Sequence, residues 1–111
     1  MRKIKKSECS VLSLVLKGQW YDMIDKGGKR EEYRAYNSYW WNRMGSFLKK
    51  TAPGKPMVVA FQNGYTKPSM WFIVTDIHFR KGGEGSHLDW GEPKFEHYAI
   101  SLGERVELVE G

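Results

Sequence analysis

Apolar and polar residues follow two different periods along this chain, and these periods divide it into strands and helices. Five short apolar or alternating runs, each bounded by glycine, proline or charge, are typical of β-strands. The predicted strands cover residues 11–16, 30–35, 57–61, 70–79 and 95–102, with a turn at Gly103-Glu104 and a short sixth strand at 106–109. The first run is almost continuously apolar, which predicts a strand buried on both faces.

Two segments near the start of the chain have the helical period instead. Apolar residues recur at helical spacing in residues 19–26, and Gly27-Gly28 supplies a helix end. A second helix, with a heavy aromatic face, is predicted from a cap at Asn37 or Ser38 to about Leu48. Five or six strands with two helices predict an α+β fold, in the form of a small, partly closed β-barrel.

The length of 111 residues predicts one domain with one core. Residues 1–9 form a charged lead-in, of which residues 1–8 are expected to fray. Residues 10–110 are expected to form the domain. Within it, the loop at residues 80–93 contains Gly82, Gly83, Gly85 and Gly91, and its length predicts mobility.

Charge and composition narrow the choice of partner. The net charge is +5 and aromatic residues make up 14% of the chain, so an anionic partner such as RNA is expected. A basic surface that serves only solubility is the alternative. The single cysteine, Cys9, excludes a disulfide within the chain and a zinc cluster built from thiolates, and it indicates a reduced, cytoplasmic setting. No apolar stretch reaches the length of a membrane span, and neither a metal nor a cofactor is expected.

One octet, residues 27–34, concentrates the candidate chemistry. It has the pattern G-x-K-x-x-E-x-R, filled by Gly27, Lys29, Glu32 and Arg34. If residues 31–34 are extended, Glu32 and Arg34 share one face, with Lys29 just before the strand. Arginine grips a phosphate or a base edge in a planar fork, and lysine supplies a point charge or a nucleophile. The alternative is that Glu32 and Arg34 form an ion pair across neighbouring strands, which contributes little to stability if it is exposed.

The motif, placed after a strand and a helix, resembles the signature of the ASCH domain family, small barrels of the PUA-like superfold. The element order β-α-β-α-β-β-β and the ending at residues 98–103 also resemble this family. The segments Trp40-Trp41-Asn42-Arg43 and Phe61-Gln62-Asn63-Gly64-Tyr65 resemble a small bacterial and phage subgroup. The resemblance implies a cleft between barrel and helices that receives RNA or a modified nucleotide.

The resemblance leaves three functions open. The first is an RNA- or modified-nucleotide-binding module. The second is a small amidohydrolase that removes an acyl group from cytidine nucleosides, as some family members do with a Lys, a Thr and a Glu. Lys29 occupies the lysine position, whereas Glu32 stands at the threonine position, so these two residues would be catalytic if the protein is an enzyme. The third is a protein-interaction domain.

Further candidate ligand-binding residues lie outside the octet. Tyr39, Trp40 and Trp41 cannot all face inward on one helix, so Trp40 or a neighbour, beside Arg43, suits stacking on an unpaired base. The alternative is that two of these three rings pack onto the barrel as core. Asn63, Tyr65 and Lys67 share one loop and combine polar, aromatic and basic groups, although Asn-Gly is first of all turn chemistry. His78 and Asp76 share a strand face, either as an acid–base or metal pair or as a structural contact.

Overall fold

A single mixed sheet organises the chain, whose computed structural model describes residues 1–51, 53–82 and 87–111. Within these ranges there are six strands and two α-helices. The strands are β1 (Arg2–Lys5), β2 (Ser10–Leu16), β3 (Glu31–Ala35), β4 (Met57–Asn63), β5 (Met70–Arg80) and β6 (His97–Val109), and the helices are α1 (Gly18–Asp25) and α2 (Ser38–Lys50). The predicted α+β fold, with five or six strands and two helices, is confirmed.

Strand β6 is the centre of the sheet because three strands pair with it. The strands β2, β4, β5 and β6 lie side by side, with β2 parallel to β4 and the other two pairs antiparallel. On its outer side, the first part of β6 pairs with β3 and its last part pairs with β1 in parallel. The sheet therefore has β2 at one edge and both β3 and β1 at the other.

The two opposite edges approach each other at a gap between β2 and β3, here called the seam. Arg34 on β3 donates through Nη2 to the backbone oxygen of Val15 on β2, at 2.9 Å. Among the described strands, no backbone ladder joins β2 to β3. The sheet is thus curled, and a side chain rather than strand pairing crosses the seam. Closure of the sheet into a barrel therefore stays a prediction.

The main core fills one face of this sheet and includes both helices. Ile24 of α1 and Met44 and Phe47 of α2 pack with buried residues of the strands, among them Leu14 and Phe61. Burial of each such side chain is worth about 1.5–3 kcal/mol, so the helices are held mainly by packing. A second, smaller cluster lies on the other face of the sheet and contains Ile4, Cys9, Val58 and Val106.

Two predictions about strands were wrong at the sheet edges. In β2 burial alternates, with Val11 and Val15 exposed, because an edge strand covered on one face leaves every second residue in solvent. Residues 1–8 are not simply frayed, since Arg2–Lys5 forms β1 and Ile4 is buried. This short strand pairs with the last four residues of β6, from Val106 to Val109.

The predicted turn at Gly103-Glu104 was also wrong, because β6 is continuous from His97 to Val109. Gly103 has no positive φ. A Cβ at this position would lie 2.6 Å from Thr75 Cγ2, so the glycine permits a close approach to β5. In the loop predicted to be mobile, Leu88–Trp90 is a short 3₁₀ turn, while Gly83 and Gly85 lie outside the described residues.

Candidate functional site

Lys29 is positioned by the way α1 ends. Gly27 has φ +82°, and its N–H donates to Ile24 O while Gly28 N–H donates to Met23 O at 2.9 Å. This is the Schellman pattern of a helix C-terminus, which requires a left-handed residue that glycine adopts without strain. The chain reverses there and enters β3 two residues after Lys29, as the sequence predicted.

Lys29, Glu32 and Arg34 form one buried cluster. Lys29 Nζ donates to Glu32 Oε1 at 3.1 Å, and Arg34 Nη2 donates to Glu32 Oε2 at 2.6 Å. The side chains are 2%, 7% and 17% exposed respectively. Each carboxylate oxygen therefore has one cation, and the cluster carries one positive charge in excess. The predicted convergence of the three groups is confirmed, but the ion pair lies within β3 and not between strands.

Aromatic rings surround the two cations. Lys29 Nζ lies 4.5 Å from the ring centre of Trp20 and 5.3 Å from that of Tyr33. The Arg34 guanidinium lies 5.0 Å from the ring centre of Trp40. Such cation–π contacts attract each cation to the face of the neighbouring ring and help to fix its position.

The cluster lines a pocket at the seam, with a volume of about 280 Å³. Its walls are the end of β2, the motif residues of β3, Trp20 of α1 and the loop after β5; the lining residues are Val15, Leu16, Lys17, Trp20, Lys29, Glu32, Tyr33, Arg34, Gly91 and Pro93. This volume lies just below the range of about 300–1,000 Å³ typical of small-molecule sites. The seam pocket therefore matches a ligand of the size of one nucleotide base.

Two features of the pocket wall restrict its shape. Gly91 has φ +79°, and a Cβ there would lie 2.7 Å from Trp20 Cζ2, so the glycine lets the loop backbone touch the indole ring. Arg34 Nε is buried and has no hydrogen-bond partner among the described residues. A buried donor without a partner costs about 1–3 kcal/mol, so Arg34 Nε is an unsatisfied donor on a residue that lines the pocket.

A second polar network supports the pocket from behind. Arg80 donates to both carboxylate oxygens of Glu31, at 2.9 and 2.8 Å, and to Glu92 Oε2 at 2.6 Å. Glu92 also lies 3.0 Å from His97 Nε2, and Tyr33 donates to Glu31. Since Glu92 stands between Gly91 and Pro93, the network anchors the loop that forms one wall of the pocket.

Ionisation in this network follows from its hydrogen bonds. Burial raises the pKa of Glu31 and of Glu92, but hydrogen bonds from Arg80, Tyr33 and His97 outweigh it, so both pKa values lie below normal. Burial, then the hydrogen bond to Glu31, raises the pKa of Tyr33. The carboxylates are thus ionised and Tyr33 keeps its proton at neutral pH.

The aromatic residues of α2 divide as the helical period predicts. Tyr39 and Trp41 are exposed, whereas Trp40 is half-buried against the main core. Arg43 donates to Tyr39 Oη at 3.0 Å and to Ser13 O at 2.9 Å. Trp40 and Arg43 thus lie beside the seam pocket but not in its lining, and their role in stacking stays a prediction.

Three predicted ligand-binding residues lie at or after the end of β4, where Gly64 N–H donates to the backbone oxygen of Leu16 at 3.0 Å. Asn63, Tyr65 and Lys67 are exposed and do not belong to the lining of that pocket. Asn63 accepts a hydrogen bond from Thr66 through its backbone oxygen, as expected of turn chemistry. Lys67 lines a different hollow, next to Trp71. The structure does not bring these three residues together with the motif.

His78 and Asp76 share a face of β5, as predicted, and their side chains are 2.6 Å apart at His78 Nδ1. Arg80 Nε donates to His78 Nε2, at 3.0 Å. An arginine is always a donor, so Nε2 accepts and Nδ1 donates to Asp76. Among the described residues, no group of three or more His, Cys, Asp or Glu side chains is arranged to hold a metal ion.

Sequence reasoning missed several pocket residues. The helical period of residues 19–26 does not show that Trp20, which is half-buried, contacts the Lys29 ammonium through its ring. The sequence did not indicate Arg80, Glu92 and His97, because Arg80 pairs with Glu31, 49 positions away, and the contact between Glu92 and His97 depends on the burial of both side chains. A buried glutamate and histidine can be recognised only when the surrounding fold is known.

Comparisons with known proteins add little to this geometry. No family model matches the chain. No curated protein shows significant similarity to it. A solved structure, the YTH domain of the Zygosaccharomyces rouxii MRB1 protein in complex with N6-methyladenosine RNA, is similar over 84% of this chain with 10% identity and a TM-score of 0.43. The match spans 57% of that YTH chain, and at this TM-score it carries no functional argument.

The resemblance to the ASCH family therefore stays a prediction.

No helix in the described ranges is long and apolar enough to cross a membrane, since α1 has eight residues and α2 has 13.

Proposed function

We propose that this protein is an ASCH-type module that binds RNA by holding one unpaired or modified nucleotide in the seam pocket. The observation that carries the proposal is the buried Lys29–Glu32–Arg34 cluster with its excess positive charge. A buried site with surplus cations favours a ligand that presents oxygen acceptors, such as a base carbonyl or a phosphate.

The aromatic wall supports a base as the ligand. Trp20 and Tyr33 line the pocket beside the cations, and the pocket volume of about 280 Å³ suits one base and excludes a duplex. Sequence-specific RNA recognition mostly uses unpaired bases placed against aromatic rings and read at their edges. In this proposal Arg34 reads such an edge, and Glu32, which accepts from Lys29 and Arg34, orients the two cations.

A second candidate is an amidohydrolase acting on acylated cytidine nucleosides. It is favoured by the buried contact of 3.1 Å between Lys29 Nζ and Glu32 Oε1, which is within proton-transfer distance. Measurement of turnover distinguishes this enzyme from a module that only binds RNA. An enzyme would release the acyl group, and Glu32→Gln would abolish the release while largely preserving binding.

The test is binding of the purified protein to short single-stranded RNAs and to modified nucleosides at two salt concentrations. The double variant Lys29→Ala/Arg34→Ala removes both cations of the cluster. Arg2→Ala/Lys3→Ala removes the same two residue types from β1, where both side chains are exposed. Loss of one charge-assisted hydrogen bond costs about 1.5–3 kcal/mol, so we expect the cluster variant to bind at least about tenfold more weakly and the control to change little.

The outcomes separate the alternatives. Equal weakening in both variants would place the binding elsewhere on the basic surface. Absence of binding to every RNA and nucleoside would refute the proposal and favour a protein-interaction domain. Arg34→Lys, which keeps the charge but removes the planar fork, guards against loss of folding in the double variant.

A further inference from the structure

A second concave surface, larger than the seam pocket, lies between α2 and the first half of β2. Its volume is about 680 Å³. One stripe of α2 forms its floor, with polar and basic side chains at positions separated by three or four residues: Tyr39, Asn42, Arg43, Ser46 and Lys50. Lys55 closes the far end. We call this surface the α2 groove.

The charges of the α2 groove have one sign. Arg43, Lys50 and Lys55 line it, and none of the described lining residues is acidic. The Lys50 and Lys55 side chains are exposed, and Lys55 Nζ donates to the backbone oxygen of Ser7 at 3.3 Å. Glu8 lies near the Lys55 end, where both residues act on the buried thiol of Cys9. A groove with three cations along one helix favours a polyanion over a neutral ligand.

The α2 groove and the seam pocket share a boundary. Arg34 of the pocket and Arg43 of the groove both lie against the ring of Trp40, with guanidinium carbons 5.0 and 5.4 Å from its centre. The same two arginines bind the free edge of β2, at Val15 O and Ser13 O. These two residues are about 6.6 Å apart along the strand, so a ligand that leaves the pocket reaches the groove directly.

We infer that the α2 groove binds the sugar-phosphate backbone of the RNA strand whose unpaired nucleotide occupies the seam pocket. The inference rests on the proposed function and adds the course of the strand. From Tyr39 to Lys50 the helix rises about 16 Å, which is long enough for several phosphates to pass the basic residues. The exposed ring of Tyr39 offers a stacking surface beside them.

The test compares a short single-stranded RNA with the free nucleoside that binds the seam pocket best. In the variant Lys50→Ala/Lys55→Ala we expect a fall in the ratio of the affinity for the RNA to the affinity for the nucleoside. For single strands, the logarithm of the affinity falls with the logarithm of the salt concentration, with a slope of about −0.7 per phosphate contact. A variant that has lost two contacts should therefore lose about sevenfold less affinity than the unmodified protein when the salt rises from 50 to 200 mM. Lys3→Ala/Lys5→Ala on β1 removes two exposed lysines elsewhere and serves as the matched control.

Each result is decisive for one of the two proposals. If Lys50→Ala/Lys55→Ala leaves both the ratio of RNA to nucleoside affinity and the salt dependence unchanged, the proposed role of the α2 groove is wrong. The proposal for the seam pocket would not be affected. Binding of nucleosides without any gain from a longer RNA would do the same. Absence of all binding by the unmodified protein would refute the proposed function itself. Thermal unfolding of each variant confirms that it is folded, as expected for exposed lysines.

Discussion

Arg34 on β3 donates to the backbone oxygen of Val15 on β2 at 2.9 Å, and thereby joins strands from opposite edges of one sheet. The same Nη2 donates to Glu32 at 2.6 Å. One guanidinium thus holds the seam together and orders the carboxylate in the pocket. The stability of the fold and the geometry of the proposed site are coupled through this residue.

Arg34→Ala is therefore expected to destabilise the protein as well as weaken ligand binding. Leaving a buried hydrogen-bond partner unsatisfied costs about 1–3 kcal/mol. In a domain of this size each kcal/mol corresponds to a fall of about 4–8 °C in the melting temperature. Arg2→Ala is the control, because its ion pair with Glu104 is exposed and should contribute about 1 kcal/mol or less. Equal melting temperatures for the two variants would contradict the coupling.

The excess charge of the cluster predicts unequal effects for its two buried members. Glu32→Gln leaves Lys29 and Arg34 as buried cations without a counter-charge, and removal of one partner of a buried pair costs about 3–5 kcal/mol. Lys29→Met leaves Glu32 paired with Arg34 but removes the donor to Glu32 Oε1, and a buried acceptor without a partner costs about 1–3 kcal/mol. Chemical denaturation of both variants measures the difference. A larger loss of stability in Lys29→Met would contradict this description of the site.

The network behind the pocket predicts a dependence of stability on acid. The pKa values of Glu31 and Glu92 lie below the ordinary value of 4.5, so their contribution to stability is complete above pH 4.5 and is lost as the pH falls below it. Arg80→Met removes the cation that both carboxylates share, and should cost about 3–5 kcal/mol at pH 7. The difference from the unmodified protein should shrink as the pH falls below 4.5 and the two carboxylates become protonated at their lowered pKa values.

Thermal unfolding between pH 7 and pH 3 tests this dependence. Arg105→Met is the control, because Arg105 pairs with Asp25 at a partly exposed position. It should change stability little at either pH. A constant difference between Arg80→Met and the unmodified protein across the whole range would show that the two carboxylates do not act through Arg80.

Gly91→Ala tests the contact between the loop and Trp20. An alanine at positive φ costs about 1–2 kcal/mol, and here its Cβ would also meet the indole ring. Gly64→Ala is the matched control, since Gly64 has φ +64° with no atom within 4 Å of a new Cβ. Gly91→Ala should be the more destabilising of the two and should also weaken nucleoside binding. If Gly91→Ala and Gly64→Ala lose similar stability and nucleoside binding does not change, the contact between Gly91 and Trp20 does not contribute to the ligand site.

The local pattern of the chain predicted much of the motif because strand and helix periods are local properties. Alternation placed Glu32 and Arg34 on one face, and Gly27-Gly28 predicted the end of α1 that positions Lys29. Asn37 was proposed as a cap of α2, and its side chain accepts a hydrogen bond from Trp40 N. Each of these features depends on residues fewer than ten positions apart.

Features that depend on distant pairing could not be predicted in the same way. Gly103-Glu104 resembled a turn, but β6 continues because β3, β5 and β1 all pair along it. Arg80 and Glu31 are 49 positions apart, and only the sheet brings them together. The loop with Asn63, Tyr65 and Lys67 resembled part of the site, but none of these three residues lines the seam pocket.

By itself, the sequence determined the element types, the basic character of the protein and the three motif residues that converge, because these follow from local periodicity and charge. Only the tertiary structure decided that the motif lies at an open seam, that Trp20 and Gly91 complete the pocket, and that Arg34 and Arg43 link it to a basic groove on α2. The reason is physical. A pocket is formed where distant segments pack, and no local period records which segments those are.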